Sequence, residues 1–313
     1  MSIYAITGGS GFIGSHLADA LLAAGRQVRV LDDFSTGRID NLDPRCEVVR
    51  GDVCDPQLLR RALRGAAGCF HLAAIASVVR ANEDWAGTNR VNLGGTVAVL
   101  DAARALGRIP VVYASSAAVY GATEGAARED AAPAPITAYG ADKLGSELHA
   151  RAGFLVHGLP TLGFRFFNVY GPRQDPGSPY SGVISIFAEA LRAGRPVLVN
   201  GDGLQTRDLV FVNDVVAHLI AGMRHISHIP GAAVLNVCTG RQTSVLAMAQ
   251  TIGELLGREP AMQHRPARPG DIRQSLGSPS RAAAVLGVSA TTELRDGLAN
   301  TLDSLINRAL IRA

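Results

Sequence analysis

Lysine is almost missing from this sequence: of 30 basic side chains 29 are arginine, and Lys143 stands alone. Arginine serves wherever a surface cation suffices, so the exception asks for a chemical reason. An ammonium is a compact point charge with three donors and a tunable pKa, whereas a guanidinium is a planar fork that stays protonated. Cysteine is scarce too. Cys46, Cys54, Cys69 and Cys238 have no C-x-x-C spacing and no histidine pairing of the kind that holds zinc. No metal site is expected, and reduced structural thiols fit a cytoplasmic protein. The net charge of +3 comes without a basic arm or an acidic tail, which speaks against nucleic acid or a membrane surface as partner. No apolar run approaches about 18 residues and no basic segment precedes the first apolar run, so neither a membrane span nor an export signal is expected. Internal repeats and low-complexity tracts are absent. What remains is a chain of 313 residues, 47% of them hydrophobic, able to bury a large core and near the length at which one domain becomes two.

Residues 3–7 form a short apolar run, followed by Gly8-Gly9-Ser10-Gly11-Phe12-Ile13-Gly14 and a helical pattern through Leu17, Leu21 and Leu22 that Gly25 ends. A second strand at 28–31 closes on Asp32 and Asp33. This is a β-α-β unit with G-x-x-G-x-x-G at its first turn. The glycines permit a tight turn and close approach of backbone to a pyrophosphate, which then rests on the positive end of the helix. The carboxylates at the end of the second strand stand where an adenosine ribose would present its hydroxyl pair. An acid there repels a 2′-phosphate, so NAD is favoured over NADP.

The alternation continues, with strands expected at 46–50, 68–74, 109–115 and 161–167 and helices at 57–63, 91–106 and 138–156. Strands spaced by helices mean an α/β fold: a doubly wound parallel sheet of the Rossmann kind, with helices on both faces. Ligands on such sheets sit beyond the carboxyl ends of the strands. Asp52 and Val53, Leu72-Ala73-Ala74, and Ser115-Ser116-Ala117 all fall there. The pattern loosens near residue 170. The expected organisation is a dinucleotide-binding domain over 1–170 and a smaller C-terminal α/β substrate domain over 171–313, with part of 208–240 returning to the large sheet. Helices are expected at 183–193, 214–223 and 245–256, and short strands at 197–199 and 209–212.

Thr137 is a plausible N-cap for the helix that carries Tyr139 and Lys143. Four residues apart, a phenol and an ammonium project from one helix face and can work as an acid/base unit. Moving a tyrosine pKa from about 10 to about 7 requires about 4 kcal/mol. A cation about 4 Å away at an effective dielectric of about 20 supplies roughly that. The sequence therefore leads us to expect Lys143 to acidify Tyr139. His71, His149 and His218 lie in patterned segments and are read as packing residues.

With Gly8, Gly11, Gly14, Ser116, Tyr139 and Lys143 in this order, the whole chain resembles the extended short-chain dehydrogenase/reductase superfamily. The segments 113–121, 165–172, Gln205-Thr206-Arg207-Asp208 and Arg268-Pro269-Gly270-Asp271 are similar to those of nucleotide-sugar enzymes, UDP-galactose 4-epimerases especially. The resemblance implies that Ser116 hydrogen-bonds the sugar 4-hydroxyl and that Tyr139 takes its proton while hydride passes to NAD. It further implies that Lys143 binds the nicotinamide ribose, that Asn92 supports the nicotinamide end, and that Asp52 and Val53 contact adenine. Asn168, Val183, Arg207, Arg268 and Asp271 correspond to substrate contacts, where guanidinium forks suit phosphate oxygens. The superfamily often pairs two helices per subunit in a homodimer, here 91–106 and 138–156.

Within the superfamily, sugar 4,6-dehydratases carry an Asp-Glu pair directly after the catalytic hydroxyl residue, and UDP-glucuronate decarboxylases usually keep a glutamate at the second position. Here the two positions are Ala117 and Ala118, which neither give nor take a proton. The resemblance thus implies an isomerase that interconverts UDP-sugars at carbon 4. UDP-glucose-only or UDP-glucuronate epimerases, reductases of the superfamily and a non-catalytic NAD sensor are the alternatives. Ser275 resembles the position where glucose-only epimerases place a bulky tyrosine, so room for an N-acetyl group, and UDP-GlcNAc/UDP-GalNAc interconversion, is expected. Whether the base is uracil or thymine stays open.

Overall fold

The computed structural model describes residues 2–174, 183–267 and 272–312. Its first half is β1 (Ile3–Thr7), α1 (Phe12–Ala23), β2 (Gln27–Asp32), β3 (Glu47–Arg50), α2 (Pro56–Leu63), β4 (Ala66–His71), α3 (Val78–Glu83), α4 (Trp85–Asn89), α5 (Gly95–Ala105), β5 (Val111–Ser116), α6 (Ala138–His157) and β6 (Thr161–Phe166). There follow β7 (Asn168–Tyr170), α7 (Val183–Arg192), β8 (Val197–Asn200), β9 (Thr206–Arg207), β10 (Leu209–Phe211), α8 (Val212–His228) and β11 (Ala232–Val237). The chain ends with β12 (Thr243–Ser244), α9 (Val245–Leu256), β13 (Met262–Arg265), β14 (Gln274–Ser275), α10 (Ser280–Leu286) and α11 (Leu294–Arg312).

Seven parallel strands form one sheet in the order β11-β6-β5-β4-β1-β2-β3. The order reverses between β1 and β4, and a crevice opens there beyond the strand ends. This is a Rossmann-like doubly wound sheet. One face is covered by α1 and α8, whose Leu17, Leu21 and Leu219 meet Ile6, Phe70 and Phe164 of the strands. On the other face α2, α5 and α6 bring Leu59, Leu63, Val99 and Ala150 against Leu31, Val111 and Tyr113. Strands buried on both faces read as continuous apolar runs, which is why 3–7 and 111–113 show no alternation. A third core, with Phe187, Leu191, Met248, Ile252 and Leu298, lies among α7, α9 and α11.

Local chemistry sets the helix ends. The Asp55 carboxylate accepts the Gln57 and Leu58 N–H groups ahead of α2, with Pro56 at its first position. Thr137 Oγ1 accepts the Gly140 N–H to start α6, and Gly158 ends it in the left-handed region (φ 67°). The helix expected at 91–106 begins earlier, as α4, and passes through a π-helical turn at Arg90–Gly94 before α5. Helical periodicity does not register this extra-wide turn, a feature frequent at functional sites. Among the described residues no helix is long and apolar enough to cross a membrane, and no cluster of His, Cys, Asp or Glu could hold a metal ion.

Candidate active site

The turn between β1 and α1 is built for close approach. At Gly8 (φ 71°) a Cβ would lie 2.6 Å from the Ala73 nitrogen, and at Gly14 a Cβ would lie 2.3 Å from the Gly8 carbonyl oxygen. Neither position accepts a side chain. Gly11, the N-cap of α1, supplies no side-chain cap, and the first turn, with Phe12 and Ile13, has no acid. The N–H groups at this helix start therefore present an uncompensated positive end to an anion. At the end of β2 the buried Asp32 accepts the Ser10 and Phe34 N–H groups, each at 2.9 Å. One partner per oxygen leaves lone pairs for two hydroxyls. Asp33 is exposed beside it and accepts from the Ser35 N–H and Oγ. Asp52 pairs with Arg90 at 2.8 Å, Val53 is buried, and Leu72, Ala73 and Ala74 follow β4. Within the π-helical turn, Asn92 accepts the Ile75 N–H at 2.8 Å and donates to the Ile75 carbonyl, so the turn holds down the loop after β4. A dinucleotide fits these residues: a cap-free helix start for its pyrophosphate, a carboxylate with spare acceptors, and close backbone.

On the other side of the crevice, α6 faces β5. Ser116 Oγ accepts the Ala118 N–H at 3.1 Å, and its hydroxyl stands near enough to the Tyr139 phenol to act on its pKa. Burial pushes the Tyr139 phenol above its ordinary pKa, and the nearby Ser116 hydroxyl draws it part of the way back. Lys143 is buried; its Nζ donates to the Ala114 carbonyl at 2.9 Å and stands 5.7 Å from the centre of the Tyr139 ring. Burial lowers the ammonium to about 8, against a weaker upward pull from Asp142. In this geometry burial, rather than the expected acidification by Lys143, is the main influence on the Tyr139 phenol. The ammonium is held by a backbone carbonyl, and desolvation is the largest influence on each of the two groups.

Ser116 and Tyr139 line a cavity of about 650 Å³ between the large sheet and the third core. The structure brings Asn168, Val183, Arg207 and Ser275 to the same cavity. Arg207 on β9 and Ser275 on β14 are register partners in a three-stranded sheet, and Arg207 donates to the Thr206 and Ile272 carbonyls. Arg268 and Asp271 lie outside the described residues. Among the described residues of the cavity wall there is no aspartate or glutamate, and the cations are Arg207 and Arg265.

Two carboxylates organise this site in ways the sequence did not assign: Asp208, the last residue of the Gln205–Asp208 segment, and Glu147, which lies in no motif. Asp208, fully buried, accepts the Thr239 and Gly240 N–H groups, the Thr239 hydroxyl and the Gly277 N–H. Glu147 forms a buried pair with Arg165, with bonds of 2.9 and 2.7 Å. Its signal was its place four residues after Lys143, continuing the spacing that begins at Tyr139.

Residues 4–238 match the NAD dependent epimerase/dehydratase family. The chain belongs to this family. It is an NAD-using isomerase of the extended short-chain dehydrogenase/reductase superfamily. Over 312 residues, 97% of this chain and 98% of the relative, it is 38% identical to a UDP-glucose 4-epimerase of Mycolicibacterium smegmatis. The UDP-glucose 4-epimerase of Thermotoga maritima, solved with UDP-glucose, superposes with a TM-score of 0.93 at 31% identity, covering 99% of this chain and 100% of that one. The UDP-N-acetylglucosamine 4-epimerase of Methanobrevibacter ruminantium, solved with UDP-N-acetylmuramic acid, does so with a TM-score of 0.92 at 29% identity, covering 98% of each chain.

Proposed function

We propose that this family member is a UDP-hexose 4-epimerase that interconverts UDP-GlcNAc and UDP-GalNAc, and also UDP-glucose and UDP-galactose. The observation that carries this reading is that Ser116 and Tyr139 stand on one cavity wall whose described residues include no carboxylic acid. Elimination of water needs an acid/base pair beyond the tyrosine, and Ala117 and Ala118 cannot provide it. Oxidation and re-reduction at carbon 4 need only one group that moves a proton at the 4-oxygen.

In this reading Ser116 orients the sugar 4-hydroxyl and Tyr139 removes its proton, then returns it after the 4-keto sugar has turned over in the cavity. Lys143 and Asn92 hold the nicotinamide end, Asp32 and Asp33 the adenosine ribose, and Asp52 and Val53 the adenine. Bound NAD supplies a two-electron acceptor that gives the electrons back within each turnover. Asn168 and Arg207 bind the nucleotide diphosphate, with Val183 beside it. Ser275 leaves room at carbon 2. The residues flanking the reacting pair on the wall, Ala117, Ala118, Tyr120, Ile136, Thr137 and Phe167, are uncharged. That favours a neutral hexose over a uronate. Residues 1–170 with 212–237 form the dinucleotide half in this reading and the remainder the sugar-nucleotide half. The protein pairs as a homodimer through α5 and α6, where Leu148, Leu155 and Val156 are exposed apolar side chains of α6.

Purified protein, incubated without added NAD with UDP-GlcNAc, UDP-glucose and UDP-glucuronate, tests the reading. The expected result is a 4-epimer from the first two. No 4-epimer from any of them would end the proposal, and preferential turnover of the glucuronate would overturn the neutral-sugar part.

A further inference from the structure

Helix α6 meets β5 through three side chains spaced four residues apart. Tyr139 shares the cavity wall with Ser116, Lys143 donates to the Ala114 carbonyl, and Glu147 accepts from the Ser115 hydroxyl. Residues at this spacing lie along one helix face, so the three form successive rungs. Ser115 and Ser116 project to opposite faces of their strand. Fixing the first therefore fixes how the second is presented to the cavity. The third rung is also the most heavily tied. Glu147 Oε1 and Oε2 accept from Arg165 Nε and Nη2 of β6 at 2.9 and 2.7 Å, both side chains at most 6% exposed. The Arg165 guanidinium in turn lies over the Tyr120 ring at 4.6 Å, and the Tyr120 hydroxyl donates to Asn236 of β11 at 2.7 Å. One carboxylate thereby connects the catalytic helix with β5, β6 and β11. A buried ion pair gains little stability over apolar residues of the same volume. Its value here is geometric.

We propose that Glu147 is a positioning residue of the reaction: with Arg165 it fixes α6 against β5 and β6 so that Tyr139 stands beside Ser116 on the cavity wall and Lys143 meets the Ala114 carbonyl. This rests on the assignment of Tyr139 as the base made above. Loosening the third rung lets α6 shift along β5 and carries Tyr139 away from Ser116. Because the nearby Ser116 hydroxyl draws the phenol's pKa down, its loss sends the tyrosine to higher pH. The other titratable groups that act on the first two rungs are Asp142, which acts on Lys143, and His71, on which Lys143 acts. Neither is altered in the test.

Ser115→Ala and Glu147→Gln are compared with wild type in the NAD-loaded enzyme, with NAD content measured alongside. A misplacement of this kind costs up to about 10²-fold in rate. Expected is a fall in kcat of that order for Glu147→Gln and of about tenfold for Ser115→Ala, with NAD content and KM unchanged. The acidic limb of kcat against pH, and the ultraviolet titration of Tyr139 read against Tyr139→Phe as blank, should both move to higher pH. Should Glu147→Gln not fold, Ser115→Ala, which leaves the ion pair intact, decides alone. Wild-type kcat with an unmoved titration overturns the proposal, as does a fall in kcat with an unmoved titration or one confined to protein that has lost NAD. If wild type epimerises no UDP-sugar, the assigned reaction is wrong, while the tyrosine titration still reads the positioning.

Discussion

Lys143 Nζ lies 5.7 Å from the centre of the Tyr139 ring and gives its hydrogen bond to the Ala114 carbonyl rather than to the phenol. The cation is thereby parked beside the base, buried and lowered to about 8, while the phenol is pushed up by its own burial. Desolvation brings the proton affinities of the two groups toward each other from opposite sides. A second polar partner beside the lysine, such as a ribose hydroxyl, would stabilise the ammonium without changing the fold.

Removal of the ionisable oxygen alone isolates the base. Tyr139→Phe should retain NAD and lose epimerisation by about 10²–10⁴-fold, the range of a general acid/base contribution. Turnover at the wild-type rate would end the assignment of Tyr139 as base.

Keeping the charge while changing its shape isolates the lysine. Lys143→Arg places a planar fork where the structure has a point donor aimed at one carbonyl in a buried site. The expected result is a loss of kcat of about tenfold or more, as for a misplaced catalytic group. Steady-state kinetics with NAD content as control would show it, and unchanged kcat would mean that charge alone suffices.

Much of this arrangement was legible in the sequence, for reasons that can be named. Apolar runs spaced by helical patterns, the glycine turn and the acids after β2 are local features, and local chemistry decides them. Thr137 caps α6 because a hydroxyl before a helical run has few other uses. What stayed hidden is long-range. The two-residue strands β9, β12 and β14 are too short to show any period, so the sheet that joins Arg207 to Ser275 appears only in three dimensions. Glu147 on a helix reads as a solvated charge until Arg165, on the next strand, turns out to lie against it. The π-helical turn that points Asn92 at Ile75 departs from the period by which helices are recognised.

Ser275 tests the sugar pocket. It lines the cavity opposite Arg207, on a two-residue strand where a larger side chain would project into the same space. Ser275→Tyr should lower kcat/KM for UDP-GlcNAc about tenfold more than for UDP-glucose, the discrimination that a filled subsite gives. Equal losses on both sugars would show that this residue does not bound the carbon 2 pocket.

Asp208 gathers the substrate wall. Its carboxylate accepts from three backbone N–H groups and one hydroxyl, and its own carbonyl accepts the Asn168 N–H at 3.0 Å. Burial raises its pKa, and the four donors draw it back. Asp208→Asn turns two donors toward the Gly240 and Gly277 N–H groups, which cannot accept them. Loss of a charge-assisted hydrogen bond costs about 1.5–3 kcal/mol, so thermal stability should fall by that order. The KM for the sugar nucleotide should rise while bound NAD is retained. Loss of NAD with an unchanged KM would place the role of Asp208 elsewhere.

His71 makes stability depend on pH. Thr96 Oγ1 donates its proton to the Asn92 carbonyl, so it accepts from His71 Nε2, which leaves Nδ1 to accept from the Thr7 hydroxyl at 2.7 Å. Protonation would set two donors face to face. Burial, and secondarily Lys143, lower the imidazole to about 3. A base depressed in the folded state costs nothing above its unfolded pKa near 6.5, and stability is lost as pH falls from there toward 3. At pH 5 about 1.5 units of that window have been crossed, or about 2 kcal/mol. Urea unfolding of wild type and His71→Leu at pH 7 and pH 5 should show wild type losing about 2 kcal/mol more than the variant across that interval. Equal losses would mean that the imidazole is charged in the native protein or reaches water before the fold opens.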